Sequence, residues 1–150
     1  MRAISFIPDD FEPPRKLELG GVHLSVLCLD DLEPDYEAVM ESGSALHGLF
    51  HEGHRWPDGL TQRGDLIDLA WHEKEFERRS SFAWGLWRSD SNRYLGSAYI
   101  YPDPERRATA HAVHWIRSGE TDPDLRSRFK ADWEAWAQSW PIPSVRFSPG

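Results

Sequence analysis

Three of the seven histidines lie close together in the sequence "HGLFHEGH". His47, His51 and His54 are spaced i, i+4 and i+7, so a continuous helix would place their imidazoles on one face, as a zinc or other transition-metal site requires. Gly48 and Gly53 disfavour such a helix. We therefore interpret the segment as a solvated loop with incidental histidines, and we expect no metal.

A second pair of reactive residues, His72 and Glu73, lies in the segment "GDLIDLAWHEKEFERR" at 64–79. Its periodicity predicts a helix whose apolar face consists of Leu66, Ile67, Leu69, Ala70 and Phe76. Glu73 falls inside that face and His72 at its edge. A carboxylate that faces a core either pairs with a cation or faces a cavity with a raised pKa, the state that a general base needs. Glu73 and His72 are therefore candidate catalytic residues; an internal ion pair or hydrogen bond for Glu73 and a packing role for His72 are the alternatives.

His111 and His114 lie on a third candidate element, the predicted strand 108–118. Their odd separation sends the two side chains to opposite faces of a sheet. Because imidazole titrates near neutral pH, either histidine could act as a general base. A solvent-facing position is the alternative for both.

The chain is rich in tryptophan, with eight residues of this type among 150. Some of these large side chains can line a pocket or a partner-facing patch. Trp56, with Tyr99 and Tyr101 of the predicted strand 93–102, is our candidate wall of a substrate pocket. Packing on a sheet face is the alternative for these aromatic side chains.

The elements that position these residues follow from turns and periodicity. Residues 1–16 form an irregular arm that contains the proline-rich stretch "PDDFEPPRK", and residues 17–150 form a single domain. The predicted order is a hairpin across Gly20 and Gly21, a helix from Asp30 to about Gly43, a long loop, the helix at 64–79, strands at 81–89, 93–102 and 108–118, a helix at 123–139 and a last short strand at 143–148. This order predicts an α+β fold with a mostly antiparallel sheet.

Composition excludes several classes of function. A formal charge of −8 and a sequence pI of about 5.3 argue against binding to nucleic acid or to an anionic membrane. Cys28 is the single cysteine, so a disulfide within the chain cannot form. The first residues contain no apolar segment typical of a signal peptide, and no window is apolar enough for a membrane span. We therefore expect a cytoplasmic protein.

The order of elements resembles the Gcn5-related N-acetyltransferase (GNAT) fold. The stretches "RWPDGLTQRGDLIDLAWHEKEFERRSSFAWGL", "YLGSAYIYP" and "VHWIRS…DWEAWAQSWP" are similar to a group of small bacterial GNAT-like proteins, and the resemblance covers about residues 20–148. It implies a twisted sheet in which the strands at 108–118 and 143–148 splay apart, so that the pantetheine arm of acetyl-CoA or another acyl-CoA inserts between them. The cofactor-binding residues that it implies are His114, Trp115, Ile116, Arg117, Ser118 and Gly119, mainly through their backbone, with His114 also placed as a base.

Two departures from the family pattern affect what the resemblance implies. GNAT enzymes bind the pyrophosphate with a Gln/Arg-x-x-Gly-x-Gly/Ala loop, whereas "RSGETDPDL" has Arg117 and one glycine at a different spacing. Asp122 as N-cap, Pro123 at the first helical position and Asp124 predict a helix start that is filled by the chain's own carboxylates. The sequence also lacks the last helix and hairpin of a full GNAT fold.

Two functions are compatible with these features. The first is an acyl-CoA-dependent N-acyltransferase that acts on a small amine. The alternative is a non-catalytic GNAT-like module that binds a small molecule or a protein partner, with a second copy of the chain in a homodimer as one such partner.

Overall fold

A computed structural model describes residues 6–149. The strands are β1 (Lys16–Leu19), β2 (Val22–Val26), β3 (Phe82–Arg88), β4 (Tyr94–Pro102), β5 (Thr109–Ile116) and β6 (Ser144–Ser148), and the helices are α1 (Leu32–Ser42), α2 (Gln62–Glu77) and α3 (Pro123–Gln138). Short 3₁₀ turns span Leu29–Asp31 and Gly43–Leu46. The order predicted from the sequence is confirmed, including the long loop between α1 and α2.

The six strands form one sheet in the order β1-β2-β3-β4-β5-β6. Every neighbouring pair is antiparallel except β5 and β6, which are parallel because α3 returns the chain to the same end of the sheet. The predicted α+β class is confirmed.

One face of the sheet packs against α3. Leu125, Phe129 and Trp133 are buried on this helix, and their spacing of four residues turns them towards the sheet, while Trp140, two residues after the helix ends, is buried beside them. They meet Trp84 of β3, whose ring centroid lies 6.2 Å from that of Trp133. Burying such side chains stabilises the fold by about 1.5–3 kcal/mol each. The predicted aromatic stripe of the last helix is confirmed.

The opposite face packs against α1 and α2 and carries a second cluster that includes Leu69, Tyr99 and Trp115. Here the predicted apolar face of α2 is wrong: Leu66 is 38% exposed and Ile67 is 59% exposed. Leu69 and Phe76 set the orientation of the helix, and Asp65, four residues before Leu69, is therefore buried with them. The prediction included Leu66 and Ile67 in the buried face of α2, whereas the face that is buried in the structure includes the carboxyl group of Asp65.

The described part of the N-terminal arm, residues 6–15, contains neither a helix nor a strand, yet it packs on the core. Ile7 is buried. Arg79 Nη2 donates to the carbonyls of Pro8 and Phe11, and Trp84 Nε1 donates to the carbonyl of Pro14 at 2.9 Å. Over residues 6–149, none of the helices has the length and apolar character that crossing a membrane requires.

Candidate functional site

A cavity of about 620 Å³ opens beside the second half of β5. Strand β6 pairs with β5 only from Thr109 to Val113, so the edge of residues 114–116 has no strand neighbour on that side within the described chain. The splay that the resemblance implied between these two strands lies at this point. Gly96 of β4 lets the other neighbour of β5 approach closely, because a Cβ on Gly96, at a φ of +153°, would lie 2.1 Å from the carbonyl oxygen of Trp115.

The charge of this donor cavity, as we name it, differs from that of the whole chain. Its charged lining groups are Arg126 and Lys130 of α3, and no carboxylate lines it within the described residues. Arg126 is held in place by its bonds to the carbonyls of Glu120 and Arg117, at 2.9 and 2.6 Å. Lys130 pairs with Glu134 at 2.6 Å, so Arg126 is the cation of this cavity that has no carboxylate partner among the described residues. In a protein with a net charge of −8, such a cation favours an anionic ligand.

Four of the six residues predicted to bind a cofactor line this cavity: His114, Trp115, Ile116 and Ser118. His114 is 8% exposed and packs against Phe129, with 5.6 Å between ring centroids. Burial lowers the pKa of His114 to about 4, so its imidazole is neutral at pH 7. Arg117 and Gly119 instead face α1.

The loop before α3 is filled by the chain's own groups. Asp122 Oδ1 accepts from the amides of Asp124 and Leu125 at 3.0 and 3.2 Å, which confirms the predicted self-capped helix start. The amide of Ser118 donates to Ser42 Oγ at 3.2 Å, and that of Gly119 donates to Glu41 at 2.8 Å. The backbone donors that would cradle a phosphate are thus engaged.

Glu41 of α1 occupies this cradle in the manner of an anionic ligand. The Arg117 guanidinium donates to both of its carboxylate oxygens at 2.9 Å, a bidentate pair. The hydrogen bond from Arg117 is the main reason that the pKa of Glu41 falls to about 2. Sequence reasoning missed Glu41, since the pair joins residues 76 positions apart.

A second hollow, which we name the aromatic pocket, lies on the α1 and α2 face and has a volume of about 310 Å³. Its walls include Trp56, Tyr99 and His72, three of the residues singled out from the sequence. Phe50 contacts two of these rings, with centroid distances of 5.6 Å to Trp56 and 5.3 Å to Tyr99. Burial lowers the pKa of His72 to about 4, so it too is neutral at pH 7.

The floor of the aromatic pocket carries buried acids that sequence reasoning missed. Asp35 is 4% exposed and Asp65 is 2% exposed, and the two carboxyl groups lie close enough for each to influence the pKa of the other. Burial, together with the contact with Asp35, raises the pKa of Asp65 to about 9. Tyr94 also donates its hydroxyl to Asp35. The sequence signal that could have revealed the burial of Asp65 is its spacing from Leu69, His72 and Phe76, which places these residues on one face of α2.

Trp115 separates the donor cavity from the aromatic pocket. It lines the cavity, and its ring centroid lies 6.2 Å from that of Trp56. Its Nε1 donates to the hydroxyl of Tyr99 at 3.1 Å. Trp115 therefore links a hollow suited to an anion with two walls of a hollow lined by rings and acids.

The other predicted residues lie outside this pair of hollows. Tyr101 hydrogen-bonds to Nδ1 of His111 at 2.8 Å and lines a third hollow of about 360 Å³ that His72 and Tyr99 also border. Arg146 donates to the same Nδ1 at 3.2 Å, so that nitrogen is an acceptor and Nε2 carries the proton. Glu73 is half-buried on α2 and lines none of the hollows described here.

The three loop histidines do not lie on one helix. His47 Nε2 lies 2.6 Å from Asp58, and the rings of His51 and His54 contact each other with centroids 4.5 Å apart. Between residues 6 and 149, no group of three histidine, cysteine or acidic side chains is arranged to hold a metal ion.

No known protein family profile matches the chain, and no curated protein matches it. Solved structures do. The ribosomal L7/L12 α-N-protein acetyltransferase RimL superposes with a TM-score of 0.63 at 12% identity, over 85% of this chain and 70% of RimL. The fold is GNAT-like.

Two further GNAT-like neighbours agree. The ribosomal-protein-S5-alanine acetyltransferase from Vibrio fischeri has a TM-score of 0.60 at 14% identity, over 82% of this chain and 68% of that chain. A GNAT-family acetyltransferase from Bacillus anthracis has a TM-score of 0.57 at 8% identity, over 81% and 65%. RimL is also known in complex with coenzyme A. The present chain spans 63 to 70% of the length of these proteins. At such low identity the GNAT-like fold is what the likeness shows.

Proposed function

We propose that the protein is an N-acyltransferase that moves an acyl group from acyl-CoA to a small amine. The observation that carries the proposal is the donor cavity, which opens where β6 leaves β5 and whose lining residue Trp115 contacts Trp56 and Tyr99 of the aromatic pocket. Two adjoining hollows of different chemistry suit a reaction that joins two substrates.

The donor cavity fits the pantetheine arm and the charge of coenzyme A. The unpaired edge of residues 114–116 presents amide and carbonyl groups to the pantetheine amides, while Arg126 and Lys130 attract the phosphates. The backbone cradle fits less well, because Glu41 and Asp122 already use its donors. Side chains therefore take the larger part in holding the phosphates. The bound thioester supplies the activated acyl group.

On the acceptor side, the chain's own groups bind and deprotonate the amine. The aromatic pocket excludes water with its rings, and His72 presents an unpartnered Nδ1 in its wall. Because His72 is neutral at pH 7, it can accept the proton that the amine loses. His114 lies on the donor side, also neutral, and orients the acyl end of the donor. Glu73 stays a predicted base without a defined partner.

Calorimetry with coenzyme A and acetyl-CoA tests the donor site. We expect binding, and a stabilisation of about 2.7 kcal/mol at a ligand concentration of one hundred times the Kd. Lys130→Ala removes one cation from the cavity and should weaken binding roughly tenfold at low salt, less at high salt. The matched control is Lys16→Ala on β1, at the opposite edge of the sheet, which should leave binding unchanged. An unfolding midpoint that does not move at millimolar coenzyme A would remove the proposal.

A second candidate function is a non-catalytic binding module, and the filled phosphate cradle is the observation that favours it. In this case the aromatic pocket, or the edge strands β1 and β6, would bind a small molecule, a protein or a second copy of the chain in a homodimer. Ligand binding without acetyl transfer to any amine would favour this function. Light scattering gives the oligomeric state directly.

A further inference from the structure

The aromatic pocket has acidic groups without cations to balance them. Asp35 of α1 and both Asp65 and Asp68 of α2 line it, and no lysine or arginine is among its described lining residues. The other titratable groups in its walls are His54, whose pKa burial lowers, the neutral His72, and Tyr99 of β4, whose pKa burial raises. The pocket therefore has the electrostatics of a site for positive charge.

Unpartnered polar atoms point to a missing ligand. Asp65 is 2% exposed, and its Oδ2 is buried without a hydrogen-bond donor among the described residues. His54 Nδ1 and His72 Nδ1 are also buried and unpartnered, and both residues line the same pocket. Buried polar atoms without partners cost stability, and several in one hollow are unusual in a folded protein.

The aromatic walls suit the same kind of ligand. The faces of aromatic rings carry partial negative charge and attract ammonium groups, most strongly when the group is desolvated. Phe50, Trp56 and Tyr99 supply three such rings, whereas Lys74 Nζ already lies 5.8 Å from the ring centroid of a fourth, Trp71. A volume of about 310 Å³ restricts the occupant to a small molecule.

We propose that the aromatic pocket binds a small organic cation, an ammonium group on an apolar body, with the charged nitrogen against Asp65 and the apolar body among the rings. As an assignment of the acyl acceptor, this rests on the acyltransferase function proposed above. As a cation site it stands on the pocket alone.

Binding of the cation displaces the proton that Asp65 carries at pH 7, and this proton leaves to the solvent. The cation brings one positive charge into the pocket and the proton takes one out, so the buried acids stay balanced. The groups that face the pair are Tyr94, Ser97 and Tyr99 from β4 and Asp68 from α2. The high pKa of Asp65 means that the pair carries this proton at pH 7 before the ligand enters.

Titration calorimetry with trimethylphenylammonium tests the site, because a quaternary nitrogen cannot be acylated. The neutral comparison ligand is N,N-dimethylaniline at pH 8. We expect the cation to bind at least tenfold more tightly than the neutral ligand, and to release up to one proton, measured in buffers of different ionisation enthalpy. Asp65→Asn should weaken cation binding at least tenfold, and Asp68→Asn should weaken it less. Asp132→Asn, on the exposed side of α3, is the matched control and should change nothing.

Equal affinity for the two ligands, or no binding by the folded wild-type chain, would overturn the cation site. If Asp65→Asn does not fold, the wild-type comparison of charged and neutral ligands still decides the question. Cation binding without acetyl transfer to amines would leave the site standing and remove only the acyltransferase function. Acetyl transfer to amines without a preference for the charged ligand would support the acyltransferase function and overturn the cation site.

Discussion

At the scale of single residues, the raised pKa of Asp65, which is buried beside Asp35, makes stability depend on pH. Asp65 has a pKa of about 9 in the folded chain and an ordinary value near 3.8 when exposed. Between these values the folded state binds more protons than the unfolded state, so the contribution of Asp65 to stability falls as pH rises. The protein retains a destabilising carboxyl pair at the place where we propose that it binds a cation.

We therefore expect Asp65→Asn to stabilise the protein at alkaline pH. The amide has no charge to bury and can donate a hydrogen bond to Asp35. Urea denaturation at pH 5 and pH 8 should show a gain of roughly 1–3 kcal/mol at pH 8 and a smaller one at pH 5. Asp132→Asn serves as the control. A loss of stability at pH 8 would show that the Asp65 carboxyl does not destabilise the folded state.

Single aromatic and histidine residues were more predictable than single acids. Trp56, Tyr99 and His72 were selected for their chemistry, and the structure brings them into one pocket. Asp35 and Asp65 were not selected as candidate functional residues, because an acid near a helix start ordinarily caps the helix or compensates its dipole. Their burial depends on how α1 and α2 pack together, and this packing is not written in the local sequence.

At the scale of elements, α1 and the loop before α3 form one unit through Glu41. Its carboxylate holds both the Arg117 guanidinium and the Gly119 amide, so the loop keeps its shape without a bound phosphate. The helix start of α3 was predictable because Asp122, Pro123 and Asp124 are consecutive. The pair between Glu41 and Arg117 was not, since it joins two elements across the fold.

Glu41→Gln tests whether this carboxylate competes with phosphate groups. The substitution removes one negative charge and loosens the Gly119 amide, so we expect tighter binding of coenzyme A, by several-fold, together with a loss of about 1 kcal/mol of stability. Glu37→Gln is the matched control, because Glu37 also pairs with Arg117 but its side chain is 73% exposed and no bond to Gly119 is present in the described structure. Equal effects of the two substitutions would show that general charge, and not the cradle, is responsible.

At the scale of the whole molecule, three histidines with lowered pKa values determine how far the free energy of unfolding falls at acid pH. Burial is the first cause that lowers the pKa of His72, His111 and His114 to about 4 in each case. Between pH 4 and pH 6.5 the unfolded state binds more protons at these sites, so stability rises with pH across this window. Asp65, buried beside Asp35, has the opposite effect: it makes stability fall as the pH rises from about 4 to 9.

The free energy of unfolding should therefore have its maximum near pH 6 to 7. On the acid side each histidine contributes a slope on the order of 1 kcal/mol per pH unit. Chemical denaturation from pH 4.5 to 9 measures the profile, and His111→Gln should flatten the acid limb by about half, because the opposite slope of Asp65 already offsets one of the three histidines. A profile that is flat below pH 6.5 would contradict the neutral state of these imidazoles.

The topology of the molecule was predictable because turns, periodicity and caps agree along the chain. The order of the strands and the aromatic stripe of α3 follow from local patterns. The adjacency of the donor cavity and the aromatic pocket does not, because Trp115, Tyr99 and Trp56 come from β5, β4 and a loop. Only their packing in three dimensions creates that wall.

Because β6 lies at the edge of the sheet, its backbone amides are less protected from hydrogen exchange than those of the central strands. This strand is half-buried, pairs along five residues with β5 and supplies Ser148 to the donor cavity, whereas β3 and β4 are buried in the centre of the sheet. Amide hydrogen exchange at such an edge proceeds through local fluctuations, while exchange in the central strands requires global unfolding. Strand β6, which contributes to the wall of the donor cavity, and the central strands therefore belong to different cooperative units. A ligand in the cavity would slow amide hydrogen exchange in β6 more than in β3.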